Sequence, residues 1–246
     1  MTPSRRSLFM GAGAATLVPQ TPLAPLTPLS AGRDSPVLDD AWHQAVLERY
    51  FSFGDKATGG PGDMATGAWL EEDLTRAGYS CHRHGFQAPF FDADQTTLAM
   101  EGQTLTVIPQ APVTATGSEG LSAPLSLGQG TGRLDGTIAL IVLPSRRWSS
   151  ALDGLIQARL SDVWTRGAAA AVLITTGPTG DALALNAPAH LPPGAGPIAV
   201  MAPADAEPFL DAAADGRTAR LTLSGRGGLR PAFNLMARLD RQADRA

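Results

Sequence analysis

The sequence predicts a mixed α/β (α+β) fold, and three short apolar segments carry that prediction. They occupy residues 137–143, 172–174 and 197–201, and helical or Gly/Pro-rich sequence separates them. Such continuous apolar runs are typical of strands that are buried on both faces of a sheet. Gly167 precedes the middle run together with four alanines, a pattern that ends a helix and lets it pack closely. We therefore expect residues 165–178 to form the spine of a compact core.

The composition indicates a globular protein and excludes several classes of function. The chain has 246 residues, of which 43% are hydrophobic, so it is long enough to bury a substantial core. The net charge is −4 and the basic residues are scattered, so we expect no nucleic-acid partner. Cys81 is the single cysteine, which excludes an internal disulfide framework and a cysteine-rich metal site.

The N-terminus indicates export. Arg5 and Arg6 directly precede an apolar run that lasts to Val18, and no acidic residue occurs before Asp34. The run is too short to span a bilayer as a helix, and with the arginine pair it resembles a bacterial twin-arginine signal. The resemblance implies a periplasmic or secreted protein, with a signal peptide and Pro-rich spacer at residues 1–31. The alternative is an ordinary tail with a chance arginine pair.

Two helices and a strand are predicted next. A packed helix is expected from Ser35 to about Phe53, with one side formed by Leu38, Trp42, Ala45, Val46 and Tyr50. A second helix, 64–77, is expected to be capped by Asp63, with the acidic run 71–73 facing solvent. Its inward residues are predicted to be Ala65, Trp69, Leu70, Leu74 and Ala77.

Shorter elements follow. A strand is predicted at 79–86, and Glu101 with Gly102 predicts a hairpin between strands 96–100 and 103–108. Helices are expected at 151–164 and 209–214. The last strands are expected at 219–223 and 233–239, and the glycine-rich runs 128–132 and 225–228 are interpreted as ordinary turns.

The order of these elements resembles the protease-associated (PA) domain. The matching sequences are DGTIAL at 135–140, an amphipathic helix, RGAAAAVLI at 166–174 and GPIAV at 196–200. On either side, residues 51–86 and AFNLMA at 232–237 resemble the segments that bracket an inserted PA domain in di-zinc aminopeptidases, the group that includes glutamate carboxypeptidase-like enzymes. The resemblance implies a peptidase-like stub at 37–91, a PA domain at 92–230, and a return strand with a tail at 231–246.

The same resemblance implies an activity that this chain by itself is expected to lack. The family performs metal-assisted hydrolysis of a peptide bond near the N-terminus of its substrate. In the family the first zinc ligands follow the strand that matches 234–239, and no residue of this sequence matches any of them. We therefore assign no catalytic, cofactor-binding or metal-binding residue, and we expect zinc only in a full-length family member.

The remaining candidate side chains favour structural interpretations. His82 and His84 are expected on one face of a strand, but catalytic zinc needs at least three protein ligands and no third is evident. Cys81 would face the other way, which argues against a cysteine–histidine pair. His190 either lines a binding rim or lies on an ordinary surface loop. The glycine-rich runs lack a Walker lysine, so phosphate binding is not expected.

Three functions remain open from the sequence. The first is an exported PA-domain protein related to zinc aminopeptidases but without peptidase activity. The second is a non-catalytic peptide- or protein-binding module, and the third is part of an active metallo-aminopeptidase completed by downstream sequence.

A nucleotide-binding fold is a weaker hypothesis, because no glycine fingerprint follows residue 143. Expected partners are a peptide or protein at the PA surface and a second copy meeting the uncovered stub, with no stable membrane span after signal removal.

Overall fold

The computed structural model describes residues 40–175, 180–188 and 191–239. In these residues eight strands form one mixed sheet, accompanied by four α-helices, so the predicted mixed α/β fold is confirmed. No helix among them is long and apolar enough to cross a membrane. The predicted export signal and spacer (1–31), the start of the first predicted helix and His190 lie outside the described residues.

The elements are numbered in chain order. The helices are α1 (Asp40–Ser52), α2 (Pro61–Arg76), α3 (Gly154–Thr165) and α4 (Glu207–Ala214). The strands are β1 (Ser80–Met100), β2 (Gln103–Thr106), β3 (Ile108–Pro109), β4 (Leu121–Leu127), β5 (Ile138–Val142), β6 (Ala170–Ile174), β7 (Ile198–Met201) and β8 (Thr218–Arg238). Across the sheet they follow the order β2-β1-β8-β4-β5-β6-β7-β3.

The three predicted core strands are the parallel centre of the sheet. β5 pairs with β6 and β6 with β7, and every residue of β6 and β7 is buried. Side chains that alternate along β5 enter two apolar clusters, one on each face of the sheet. Phe209 of α4 fills the first cluster, and Ile156, Leu160 and Val163 of α3 fill the second. The prediction of three buried strands with helical cover is confirmed.

The turn from α3 into β6 has the form that the sequence predicts. Asp153 caps the start of α3 by accepting a hydrogen bond from the Leu155 amide at 2.9 Å. At the other end Gly167 has φ +97°, in the left-handed region that glycine adopts without strain. The amide of Ala168 then donates to the carbonyl of Val163 at 3.0 Å, which closes the helix.

β1 and β8 form one long antiparallel ribbon, which corrects the prediction of four separate strands. Each has 21 residues, and they pair from Ser80 opposite Arg238 to Ala99 opposite Arg220. The run 225–228, predicted as a turn, lies inside β8. Its glycines allow close approach: a Cβ on Gly225 would lie 2.9 Å from the Ala93 Cα and 3.0 Å from the Phe91 ring.

α2 packs on the ribbon through a small residue, so the predicted inward face is only partly correct, with Trp69 and Leu74 half-buried. The buried residues of α2 are Gly62 and Thr66, and a Cβ on Gly67 would lie 2.5 Å from the Phe233 ring. The exposed residues include Ala65, Leu70 and Ala77. A helix that approaches a sheet this closely needs glycine at the contact, because a larger side chain would hold the two apart.

Two details of α2 also differ from the prediction. The helix begins at Pro61 after Gly60, and Asp63 is not its cap but accepts a hydrogen bond from the Gly59 amide at 2.8 Å. Glu71 of the acidic run does not face open solvent, because its carboxylate accepts a hydrogen bond from Arg83 Nε at 2.6 Å. The run therefore helps to hold α2 on the ribbon.

α1 is not the packed helix that the sequence predicts. None of its residues is buried, and Tyr50, predicted to face inward, is exposed. Trp42, Ala45 and Val46 are half-buried, whereas Leu47 and Phe51 face outward. None of its residues belongs to either apolar cluster of the sheet.

The apolar clusters predict where the stability of the chain resides. All of their members lie between Leu98 and Leu223. We expect a fragment of residues 92–230 to unfold cooperatively, with a melting temperature within about 5 °C of the full chain. Thermal unfolding followed by circular dichroism measures both. A fragment that shows no cooperative transition would mean that α1, α2 and the far end of the ribbon are needed for folding.

Candidate functional site

His82 and His84 lie where the strand pattern predicts, but no third zinc ligand joins them. They occupy one face of β1, opposite Met236 and Asn234 of β8, and both are exposed. Within the described parts of the chain, no group of three or more His, Cys, Asp or Glu side chains is placed to hold a metal ion. These residues therefore do not supply the set of ligand atoms that a zinc centre needs.

Cys81 faces α2, on the side of the ribbon away from the two histidines. Its Sγ lies 3.9 Å from the carbonyl oxygen of Glu71 and is partly buried. Neighbouring residues of a strand point to opposite faces, so Cys81 makes no catalytic pair with His82. The sequence prediction on this point is confirmed.

Two backbone carbonyl groups of the glycine-rich run 128–132 accept hydrogen bonds from Arg166 at the end of α3. Arg166 donates to the carbonyl of Gly128 at 2.8 Å and to that of Gly132 at 2.6 Å. The Gly128 amide is also used, because it donates to the Leu140 carbonyl at 2.7 Å. A phosphate cradle needs free amides at a strand-to-helix turn, whereas the groups here bind an arginine and the next strand. The prediction of an ordinary turn is confirmed.

The strongest candidate for a binding site lies at the carboxyl ends of β5 and β6. We call it the loop rim and define it as residues 143–153 and 180–188. In parallel sheets this edge gathers loops that project from a rigid base, which is why ligands bind there in many α/β proteins. His190, for which the sequence leaves open a binding rim or an ordinary surface loop, lies outside the described residues.

Two buried polar side chains fasten the second half of the loop rim. Gln110 follows β3 and is only 1% exposed. Its side chain accepts from the Leu185 amide at 2.9 Å and donates to the Leu185 carbonyl at 2.7 Å. Thr175, just after β6, accepts from the Leu183 amide at 3.0 Å. Each contact supplies a buried polar group with its partner, so the loop is held in one conformation.

The two halves of the loop rim are also joined directly. Ser150 and Asn186 form a parallel β-bridge. Around it the Ala151 amide donates to the Asn186 carbonyl at 2.9 Å, and the Asn186 amide donates to the Ser149 carbonyl at 3.0 Å. The loop rim is therefore a single preorganised surface.

A stacked arginine marks the outer side of the loop rim. The guanidinium of Arg146 lies 3.8 Å from the centre of the Trp148 ring and 2.6 Å from a carboxylate oxygen of Asp153. Trp148 is itself buried, and its indole donates to the Pro144 carbonyl at 3.0 Å. Arg146 is thus a half-exposed, oriented hydrogen-bond donor. Leu152, which precedes Asp153, and Leu191, whose amide donates to the Pro188 carbonyl, are both exposed apolar residues.

Among the described residues, the one carboxyl group with a clearly shifted pKa belongs to a structural pair away from the loop rim. A hydrogen bond from Arg133, 2.7 Å long, lowers the pKa of Asp135 and raises the pKa of Arg133. Both side chains are largely exposed, and Asp135 lies against Gly167 before β5. The pair orders a turn and points to no chemistry.

Several residues of the loop rim could not be recognised from the sequence. Gln110 and Leu185 are 75 positions apart, and a single glutamine after a two-residue strand carries no distinguishing pattern. Arg146 and Trp148 could be noticed only as an argument against a pyrophosphate loop. The predicted pair His82 and His84, in contrast, belongs to no group of three or more His, Cys, Asp or Glu metal ligands among the described residues.

The fold is shared with bacterial aminopeptidases. The chain is similar to an aminopeptidase from Aneurinibacillus sp. strain AM-1, with a TM-score of 0.54, 15% identity, and 81% of this chain and 48% of that one covered. A zinc aminopeptidase from Bacillus subtilis gives a TM-score of 0.57 at 14% identity, covering 79% and 45%. A peptidase M28 precursor from Shewanella amazonensis gives a TM-score of 0.58 at 18% identity, covering 78% and 48%.

These likenesses concern architecture. The chain spans about half the length of the solved structures that it resembles, namely 45–48% in the three cases. No family model and no curated protein sequence matches the chain. An aminopeptidase-like α/β fold is thus established for this chain.

Proposed function

We propose that this chain is an exported, non-catalytic binding protein related to zinc aminopeptidases, in which a PA-type domain at 92–230 presents a surface for an extended peptide. The observation that carries the proposal is the loop rim, a rigid, partly apolar surface with one oriented cation. Such a surface binds at little ordering cost, because its loops are already fixed. The arginine pair at the N-terminus supports export to the periplasm or the exterior.

The loop rim favours a peptide over a small cofactor. Leu152 of the loop rim and Leu191, whose amide donates to the Pro188 carbonyl at 3.1 Å, provide apolar contacts, and Arg146 provides donors for a carbonyl or carboxylate. An extended peptide presents alternating apolar side chains and backbone carbonyls, which this combination can bind together. The PA-type assignment and its boundaries rest on the sequence resemblance, and the order of β5, α3, β6 and β7 agrees with it.

Peptide binding is tested at Leu152. We expect fluorescein-labelled extended peptides of varied sequence to include binders, and Leu152→Asp to weaken their binding by on the order of tenfold. The matched control is Leu229→Asp, because Leu229 is also exposed but lies on the ribbon. Fluorescence anisotropy measures the affinities. If no peptide binds, or if the two variants bind equally well, the loop rim is not the peptide site.

The absence of catalysis is tested separately. We expect no release of amine from leucine p-nitroanilide by the full chain in the presence of zinc, and no tight zinc binding by calorimetry. The reason is that His82 and His84 offer two ligands, one fewer than catalytic zinc requires. The variant His82→Ala is the control. Tight zinc binding that disappears in this variant would contradict the proposal and indicate a metal site that includes His82.

A second candidate is the first part of an active metallo-aminopeptidase. The observation in its favour is that the chain spans about half the length of the aminopeptidases with the same fold. Sequencing the genomic DNA beyond codon 246 tests it. A continuing frame that encodes a histidine and an aspartate soon after a further apolar strand would support this candidate, and an unrelated continuation would count against it.

A further inference from the structure

A methionine of β8 lies directly across from the first histidine of β1. Met236 pairs with His82 in the register of the ribbon, and Asn234 pairs with His84. Residues that are directly opposite in an antiparallel pair lie on the same face, with their Cβ atoms about 4.5–5.5 Å apart. Two imidazoles and one thioether therefore project from the same face of the ribbon. Zinc takes imidazole, thiolate and carboxylate ligands, so Met236 adds nothing to a zinc site.

The three side chains are close enough to bind one ion together. His82 and His84 are two residues apart on a strand, so their Cα atoms are separated by about 6.8 Å. Met236 lies diagonally across from His84, at about 7–8 Å, a separation that long side chains bridge. The ring nitrogens and the sulfur can therefore converge on one point above the two strands.

The atoms that would bind the ion are accessible. His82 and His84 are exposed, and Met236 is 52% exposed. Neither imidazole makes a hydrogen bond, an ion pair or a ring contact with another residue in the described part of the chain. A lone pair on a nitrogen of each neutral ring and on the thioether sulfur is thus available.

The strands around these side chains supply no carboxylate. Residues 80–89 of β1 and 229–238 of β8 include no aspartate or glutamate. Glu71 reaches the ribbon from α2, but it pairs with Arg83, on the face opposite to the two histidines. The ligand set is therefore neutral. Calcium, magnesium and manganese are excluded, because these ions prefer carboxylate and carbonyl oxygens.

We propose that His82, His84 and Met236 form a binding site for monovalent copper on the exposed face of the ribbon. A thioether is a soft ligand that selects Cu(I), and imidazole suits copper as well. A singly charged ion also fits this position, because Arg238 follows on the same face as Met236 and repels a divalent ion about twice as strongly. The proposal does not depend on peptide binding at the loop rim.

Competition with a chromogenic Cu(I) chelator tests the site. Every protein in the comparison carries Cys81→Ser, because a free thiol binds copper by itself. Cu(I) is titrated anaerobically, with ascorbate, into a mixture of bicinchoninate and the full 246-residue chain. We expect the chain to bind one equivalent. The dissociation constant should rise by about a hundredfold or more in His82→Ala, His84→Ala and Met236→Leu.

Matched controls separate the loss of a ligand from other effects. Met236→Leu keeps an apolar side chain of similar size and removes the sulfur, and thermal melts establish that the variants fold. His43→Ala removes an exposed imidazole from α1, and Met100→Leu removes a thioether from the other end of β1. Both controls should bind Cu(I) as tightly as the parent protein. A chain that binds no Cu(I), or an unchanged dissociation constant in Met236→Leu, overturns the proposal.

X-ray absorption at the copper edge tests the ligand set directly. We expect nitrogen and sulfur ligands in the parent protein and nitrogen ligands alone in Met236→Leu. A parent spectrum without sulfur would show that the histidines bind copper without Met236, which contradicts the proposed site. Calorimetry with zinc gives the selectivity, and zinc that binds as tightly as Cu(I) would also contradict the proposal.

Discussion

Replacing Gly167 with valine is expected to destabilise the protein strongly and to lower its melting temperature. Gly167 has φ +97°, which a β-branched residue adopts only with strain. A side chain would also collide with Asp135, since a Cβ at 167 lies 3.2 Å from the Asp135 Cα and closer still to its carboxylate. Strain and collision together should cost about 3 kcal/mol or more, a large fraction of the stability of a domain of this size.

The contribution of the collision can be separated from that of the backbone. Gly130 has φ +98°, almost the same as Gly167, but nothing lies within 4 Å of a Cβ built there. Gly130→Ala should therefore cost only about 1 kcal/mol of backbone strain, whereas Gly167→Ala adds the contact with Asp135. Urea unfolding of the two alanine variants gives the difference directly. Equal free energies of unfolding would show that Asp135 moves aside freely.

Replacing Leu140 with alanine should cost about 2–5 kcal/mol in the free energy of unfolding. Leu140 is fully buried in β5, between β4 and β6, and its side chain lies in the apolar cluster that α4 covers. The neighbouring strands are fixed by backbone hydrogen bonds, so the site cannot collapse and a cavity remains.

The control for this variant is the same substitution at Leu229. That residue is 67% exposed on the ribbon, so Leu229→Ala should change the free energy of unfolding by less than about 0.5 kcal/mol. Denaturant unfolding of both proteins provides the comparison. A small change in the free energy of unfolding for Leu140→Ala would mean that the centre of the sheet can repack. A large change for Leu229→Ala would mean that the ribbon contributes strongly to stability.

The glycines of this chain show where pattern-based prediction works and where it fails. Gly102 and Gly167 mark a hairpin and a helix end, and both have positive φ. The run from Gly225 to Gly228 looks similar in sequence but lies inside a strand. The difference is the partner strand, since Phe90 and Phe91 pack over these glycines from β1. A residue 130 or more positions away is not visible in a local pattern.

The helices give the same lesson. The stripe of α3 predicts its buried face correctly, because α3 covers a wide sheet. α2 lies beside the two-stranded ribbon, where Gly67 meets Phe233, and Leu70 remains exposed, as do Leu47 and Phe51 of α1. A periodic apolar stripe indicates that one side of a helix is favoured to be buried. The local pattern does not show whether the fold provides a sheet wide enough to cover that side.

The sequence by itself determines the parallel core of β5, β6 and β7, because continuous apolar runs are stable only when both sheet faces are covered. It also determines the helix end at Gly167, where the backbone requires glycine. Only the tertiary structure decides the ribbon, the loop rim and the exposure of His82 and His84. Those features depend on contacts such as Gln110 with Leu185, whose partners are distant in sequence and whose geometry the pairing of whole strands imposes.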